Sequence, residues 1–410
     1  MKRVLILGFG KSGQAVYQYL KDTSVQVAIY DDRVHDKNIN FYTLARLKKE
    51  LPLFDLAIRS PGISMCSEVY QLCRLLCREM ISEIEFAYRL LKKKHPIYIA
   101  VTGTNGKTTL CTMLYEILSK HREHVYVAGN IGTPLTTYIH QIEQKSIIIL
   151  ELSSFQLEDI VHFCPDFALI TNIDKNHLDE VYDYSFYQAS KKRMLLSMDL
   201  HQLFFYHQKD AAFFAHTTAN AICIEDYCKR HHIDFQQLQL PGEHNIQHAK
   251  AACMIGDIFG IPIEESKRLI ATMLPLPYRM EQVKVPYEGR IINDSKSTNV
   301  ASTNQCLKTF PSQRRVLILG GIAKSDDFNQ LEVKKEDQIL TYGSARFQIQ
   351  SQLPQAHLFE TLDEIMEILP RFLKEKYDIL FSPACSSFDQ FDNYLVRGAY
   401  FTKRIKELFL

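Results

Sequence analysis

The sequence predicts an α/β protein of three domains: an N-terminal Rossmann-like domain over residues 1–93, a central parallel-sheet domain with a phosphate-binding loop (P-loop) over 94–275, and a C-terminal Rossmann-like domain over 276–410. Three observations lead there. A chain of 410 residues exceeds what one ordinary core organises. Short apolar runs alternate with helical segments along nearly the whole length, the pattern of parallel strands joined by helices. Two of those runs end in glycine-rich turns that open a helix, Gly8-Phe-Gly-Lys-Ser-Gly13 and Gly103-Thr-Asn-Gly-Lys-Thr108.

In the first block Val4-Leu-Ile-Leu7 reads as a buried strand, and beyond the G-x-G-x-x-G turn Ala15, Val16, Tyr19 and Leu20 stand at helical spacing. A second strand, Val25 to Tyr30, ends on Asp31 and Asp32, about where a dinucleotide fold places its ribose-binding acid. A third runs from Leu56 and stops at Ser60-Pro-Gly62. By themselves these glycines fit a nicotinamide dinucleotide, a nucleotide-diphosphate sugar held by its pyrophosphate, or plain helix-on-strand packing.

The basic run Lys92-Lys-Lys94 and the helix-breaking Pro96 open the second block. The strand Ile99-Ala-Val-Thr102 leads into Gly103, Thr104, Asn105, Gly106, Lys107, Thr108 and Thr109 at a helix start. Inward N–H groups and a lysine suit phosphate oxygens, and a hydroxyl suits Mg²⁺, so this loop predicts ATP binding. It is shorter than the common G-x-x-x-x-G-K-[ST] form, with Val101 where the first glycine would stand. Further strands are predicted at Val125-Tyr-Val127, Ser146 to Leu150 and Phe167 to Thr171. Ligands of parallel sheets gather at strand carboxyl ends, which is where Thr102, Glu151 and Asn172 fall.

Glu151 closes an apolar strand, where a carboxylate isolated from water is expensive without a cation. With Thr108 and with His177 of Asn172-Ile-Asp-Lys-Asn-His-Leu-Asp179 it suggests a hard-metal site for Mg²⁺ beside the ATP phosphates. Taken singly, each has a plainer use: a backbone amide can answer the glutamate, and a loop histidine is ordinarily solvated. Tyr187-Gln-Ala-Ser-Lys-Lys-Arg193 reads as a helix with three consecutive cations; at about 100° per residue they cannot share one face. Pro241-Gly-Glu-His-Asn245 reads as a turn and helix start, where Asn245 serves either as a cap or as an amide for a base edge.

The third block begins at the proline-punctuated Leu274-Pro-Leu-Pro277, with strands expected at Ile291-Ile292, Val316 to Leu319, Ile339 to Tyr342 and Ile379 to Phe381. Asn293-Asp-Ser-Lys-Ser-Thr-Asn299 is a dense polar cluster after the first of them. Arg279, Asp294, Lys296 and Lys324 suit nucleotide phosphates or a substrate carboxylate if this domain closes on the second; a polar surface loop is the alternative. Cys385, in the turn Ser382-Pro-Ala-Cys-Ser-Ser-Phe-Asp-Gln-Phe391, has no neighbour suggesting a nucleophile and reads as packing.

With 48 basic and 47 acidic residues, charge makes no case for a nucleic-acid partner or a membrane surface. The ten cysteines lack zinc-like pairing and read as thiols in a reducing cytosol. No basic and apolar leader precedes the strand at Arg3, and the apolar runs fall far short of the about 20 residues that span a bilayer. A soluble, cytoplasmic, monomeric protein is the expectation.

Taken in order, GxGxxG, Ser60-Pro-Gly62, GTNGKTT, GNIGTPL, LELSSFQLE, NHLD, LPYRMEQV, NDSKSTN, LGG and SPACSSFDQF resemble the Mur ligases of peptidoglycan synthesis over nearly the whole chain. The resemblance implies an ATP-driven amide synthesis through an acyl phosphate, joining D-glutamate to UDP-N-acetylmuramoyl-L-alanine. It implies that Gly103 to Thr109 hold ATP, with Lys107 on its phosphates, and that Thr108, Glu151 and His177 contact Mg²⁺. Lys191 matches a lysine that is carbamylated in the family. Lys11, Ser12, Asp31, Asp32, Arg33, Ser60 and Gly62 fall where the uridine diphosphate is held, and Asn130 where the muramoyl part is held. Asn245, Arg279, Asp294 and Lys296 match nucleotide contacts, and Thr298, Lys324, Ser387 and Tyr394 match D-glutamate contacts. Three positions depart from the family pattern: His248 replaces an asparagine near adenine, Ile322-Ala323 replaces a more polar, glycine-containing pair, and Tyr394 replaces an aromatic residue without a hydroxyl.

Overall fold

The computed structural model describes residues 2–32, 40–173, 184–214, 218–236, 238–323 and 327–410. Two compact units result, one made of Met1–Ile173, Ser185–Asp234 and His248–Lys267, the other of Asp174–Tyr184, Phe235–Gln247 and Arg268–Leu410. Three α/β sheets lie within them.

The first unit contains two parallel sheets. β1 (Arg3–Leu7), β2 (Gln26–Tyr30), β3 (Phe41–Tyr42), β4 (Leu56–Arg59) and β5 (Met80–Ser82) assemble in the order β3-β2-β1-β4-β5. β6 (Ile97–Thr102), β7 (Val125–Gly129), β8 (Ile147–Glu151), β9 (Phe167–Ile170), β10 (Leu203–Tyr206) and β11 (Asn220–Cys223) assemble in the order β11-β10-β9-β6-β8-β7. Strands covered on both faces are apolar throughout rather than alternating, and Ile147-Ile-Ile-Leu150 is buried along its whole run. In each sheet the chain leaves its first strand for opposite sides, so β1 sits between β2 and β4, and β6 between β8 and β9. Such switch points open a crevice at the strand carboxyl ends.

A buried polar cluster ties these two sheets together. Arg59, the last residue of β4, is almost inaccessible; it pairs with Glu158 at 2.8 Å and with Asp159, and donates to the carbonyls of Ile63 and Phe155. Tyr70 Oη reaches the other oxygen of Asp159 at 3.1 Å. Nearby, Glu85 Oε2 accepts from the N–H groups of Val161, His162 and Phe163 while Oε1 takes Arg89.

The second unit carries β12 (Glu281–Gln282), β13 (Ile291–Asn293), β14 (Arg315–Gly320), β15 (Gln338–Tyr342), β16 (His357–Leu358) and β17 (Asp378–Ala384) in the order β12-β13-β17-β14-β15-β16. All pairs are parallel except β12 with β13, a two-residue antiparallel edge. Its two faces bury separate cores, one around Leu317, Leu319, Ile339 and Leu380, the other around Val316, Ile318, Phe381 and Phe401. Cys385 packs in the first of these cores, as its sequence context suggested. All ten cysteines are free, and among the described residues no helix is long and apolar enough to cross a membrane.

Every strand expected from the sequence is present to within a few residues. The six additional ones, β3, β5, β10, β11, β12 and β16, are two to four residues long, too short for periodicity to register.

Arg59→Ala leaves Glu158 and Asp159 buried beside an unfilled space, which costs about 3–5 kcal/mol. Urea denaturation of the full chain is expected to show a loss of that size, and a loss under about 1 kcal/mol contradicts the role given to this cluster.

Candidate functional site

The glycine-rich turn after β6 adopts a backbone that only glycine tolerates at two points. Gly103 has φ +140° and Gly106 φ +80°; a Cβ on the first would come within 2.0 Å of Thr171 Oγ1, and on the second within 2.0 Å of His248 Nε2. The loop is pinned from β9: Asn172 takes Thr104 N–H on its carbonyl at 2.9 Å and Asn105 N–H on its side chain at 3.0 Å, while Thr171 Oγ1 donates to Asn105 O at 2.6 Å. Gly106 starts the helix Lys107–Leu118 with no side-chain cap. The N–H groups of its first turn, including those of Thr108 and Thr109, have no intrahelical acceptor and stand at the positive end of the helix dipole. Lys107 Nζ folds back onto Gly103 O and Thr104 O, each at 2.9 Å. Thr104 Oγ1 and Tyr187 Oη meet at 3.0 Å.

Behind the loop, the helix Tyr184–Lys192 and the turn Arg193–Leu195 that follows it send the three consecutive cations in different directions. Lys191 is 1 % exposed and donates to the same Gly103 O at 2.8 Å, with Tyr187 beneath its ammonium at 4.6 Å. Lys192 lies over the Phe213 ring, and Arg193 caps the carbonyls of Leu157 and Ile160. Burial first, and the charge of Lys107 second, hold the Lys191 amine well below the ordinary lysine range. Glu151, at the end of β8, is also buried; Asn130 Nδ2 donates to its Oε1 at 2.7 Å, whereas Oε2 has no partner among the described residues. A buried carboxylate oxygen left open is what a cation site requires. Among the described residues no three His, Cys, Asp or Glu side chains form a ready metal cluster; His177 lies outside those residues.

In the first sheet, Gly13 is required by packing, since a Cβ there would come within 2.0 Å of Gly8 O. Asp31 accepts Phe9 N–H at 2.7 Å, Asp32 accepts the Tyr30 hydroxyl at 2.5 Å, and Ser60 Oγ donates to Gly8 O at 2.8 Å. The three loops at this switch point are thus bound to one another. Lys11, Ser12 and Gly62 remain open, and Lys11 lines a cleft of about 730 Å³ with Phe9, Gln14, Gly132, Thr133 and Pro134. Arg33 lies outside the described residues.

The second unit sorts its polar cluster into scaffold and open groups. Asp294 is fully enclosed and accepts from Met280 N–H at 3.1 Å, Ser297 Oγ at 2.5 Å and Ser382 Oγ at 2.8 Å. Asn299 caps the helix Val300–Thr309, and Asn293 Nδ2 donates to Gly398 O and Thr402 Oγ1. Lys296 and Thr298 stay partly open, and Lys296 sits over the Tyr394 ring at 5.1 Å. Arg279 is half-buried, Ser387 buried, and Asn245 Nδ2 donates to Pro241 O at 2.6 Å inside its own turn. Ile322 and Ala323 lead into Lys324, which lies outside the described residues. Sequence reasoning missed Arg397, Tyr187 and Ser382. A readable signal existed for Arg397, a cation on the buried stripe of the helix Tyr394–Glu407 with Phe401 and Ile405.

Burial pushes the Asp294 carboxyl up to about 6, against the lowering effect of its hydroxyl partners. Its contribution to stability is therefore full below the ordinary aspartate range and lost as pH rises through about 6. Urea unfolding at pH 5 and pH 7.5 is expected to show a step that Asp294→Asn flattens; an identical pH dependence in the two proteins contradicts it.

Residues 101–238 match the Mur ligase middle domain. Over 99 % of its length the chain is 30 % identical to the UDP-N-acetylmuramoylalanine--D-glutamate ligase of Oenococcus oeni, covering 97 % of that protein. It is 31 % identical to the enzyme of the same name from Elusimicrobium minutum, over 99 % and 98 % of the two chains. Solved structures with the same fold include Thermotoga maritima MurC, the UDP-N-acetylmuramate-alanine ligase, with TM-score 0.59 and 16 % identity over the whole of both chains. Thermotoga maritima MurF in complex with ADP gives 0.57 and 14 % over 99 % of this chain and 93 % of that one. With a glycine-rich loop before a helix, an open buried carboxylate and relatives that match from end to end, the chain belongs to the Mur ligase family.

Proposed function

We propose that this protein is an ATP-dependent ligase that joins D-glutamate to the L-alanine carboxylate of UDP-N-acetylmuramoyl-L-alanine in the cytoplasm, as a monomer organised in domains 1–93, 94–275 and 276–410. The observation that carries the reading is the convergence of Lys107 and Lys191 on Gly103 O beside a buried glutamate, within a chain whose full-length relatives bear that enzyme's name. A nicotinamide role for Gly8, Gly10 and Gly13 leaves that constellation without a task.

A carboxylate is a poor electrophile, so it must first be activated. One oxygen of the alanine carboxylate attacks the γ-phosphorus of ATP, the bond to the β-phosphate oxygen breaks, and ADP leaves an acyl phosphate behind. Lys107 exchanges its two loop carbonyls for phosphate oxygens, and the first-turn N–H groups of its helix face the same charge. The amine of D-glutamate then attacks the acyl carbon, loses a proton and expels phosphate through a tetrahedral intermediate. Asn130, hydrogen-bonded to Glu151, links the muramoyl subsite to the carboxylate assigned to the metal. Lys11, Ser12, Asp31, Asp32, Arg33, Ser60 and Gly62 are assigned to the uridine diphosphate. Asn245, Arg279, Asp294 and Lys296 are assigned to the nucleotide, Asp294 as the buried pin of its loop, and Thr298, Lys324, Ser387 and Tyr394 to D-glutamate.

Mg²⁺ fits this donor set. Thr108, Glu151, His177 and a carbamylated Lys191 would hold it, and when bound it supplies positive charge against the transferring phosphoryl group. Carbamylation needs an unprotonated amine, which adds to the carbon of CO₂ and releases one proton to leave an anionic carbamate. The burial of Lys191 favours that starting form.

Lys107→Ala is expected to lower phosphate release by about a thousandfold or more while the denaturation midpoint stays near the wild-type value, and undiminished turnover refutes the assignment. Lys191→Ala is expected to lose activity and to regain part of it with added formate or acetate. Indifference to both small acids counts against the carbamate.

A further inference from the structure

The second unit buries a cation to which the reading above gives no task. Arg397 lies in the first turn of the helix Tyr394–Glu407 and is wholly enclosed. A buried guanidinium is normally answered by a carboxylate, because desolvating the charge is costly. Among the described residues none pairs with it. Its donors go instead to uncharged oxygens: Nε to Ser295 Oγ at 3.0 Å, one terminal nitrogen to Ser295 O at 2.8 Å and Cys385 O at 3.1 Å, the other to Gly320 O at 3.4 Å. Ser295 Oγ donates onward to Tyr394 O at 2.9 Å.

These acceptors stand at the carboxyl ends of three neighbouring strands. Ser295 follows β13, Gly320 closes β14 and Cys385 follows β17, so one planar fork sets the spacing of three loops. Two of these loops lead within a few residues to side chains assigned to the amino-acid substrate, Thr298 and Ser387; in sequence the third precedes Lys324, which lies outside the described residues. The helix that carries Arg397 opens with the fourth, Tyr394.

We propose that Arg397 is the positioning residue of the D-glutamate subsite, fixing its three loops as a unit and adding a charge, unanswered by any acid among the described residues, that attracts a dicarboxylate. This rests on the ligase reading above. Arg397→Lys keeps the charge and loses the fork, whereas Arg397→Gln loses both. In phosphate release by the purified full chain, the KM for D-glutamate is expected to rise about tenfold in the first and further in the second. The KM for UDP-N-acetylmuramoyl-L-alanine, whose assigned residues lie in the first unit, is expected to stay within about twofold. A purely structural arginine would lower kcat through loss of folded protein and leave the KM for D-glutamate unchanged; that result overturns the proposal and leaves the ligase reading standing. Wild-type protein that does not turn over D-glutamate overturns both. Should the arginine variants fail to fold, Ser295→Ala removes the Nε acceptor and the link to Tyr394; it is expected to raise the same KM about threefold, and an unchanged KM overturns the proposal.

Discussion

One carbonyl oxygen, that of Gly103, receives both Lys107 and Lys191, and the catalytic reading depends on that contact. Two ammonium groups on one acceptor repel each other, and enclosure of Lys191 relieves the conflict by favouring its neutral form. The same enclosure leaves Glu151 with an oxygen that nothing among the described residues satisfies. The loop is therefore rigid in its backbone and incomplete in its charges, with Asn172 and Thr171 supplying the rigidity. On the proposed ligase reading, phosphates and a divalent cation would complete it: anionic oxygens would take over Lys107, and the cation would answer the open carboxylate.

The second unit solves a different problem, which is to fix polar loops through hydrogen bonds of its own. Asp294 gathers a backbone N–H and two hydroxyls, and Arg397 gathers carbonyls from three strand ends. The two buried charges draw on opposite halves of the backbone, one taking donors and the other acceptors. Of the NDSKSTN segment, Lys296 and Thr298 stay partly open after this sorting. The departure at position 394 joins the same arrangement, because the Tyr394 ring lies against Lys296. His248, another position that departs from the family pattern, packs against Gly106 and so shapes the loop itself.

Much of this was legible in the sequence because strand carboxyl ends and glycine spacing are local signals. Gly103, Gly106 and Lys107 could be placed from a strand, a turn and a helix start, and the three-cation run announced that Lys191 and its neighbours must diverge. What escaped depends on partners distant in the chain. Arg59 with Glu158 and Asp159, or Arg397 with Ser295 and Cys385, pair residues about a hundred positions apart or across separate loops, where no periodicity links them. Asp294 shows the related difficulty that a polar motif does not disclose which of its members is buried.

The central claim is that ATP activates a carboxylate by phosphorylating it, and oxygen transfer reports this directly. With UDP-N-acetylmuramoyl-L-alanine labelled by ¹⁸O in the alanine carboxylate, turnover with ATP and D-glutamate is expected to place one labelled oxygen in each phosphate released, since the acyl phosphate breaks between carbon and oxygen. Phosphate that emerges unlabelled while amide accumulates would contradict the account.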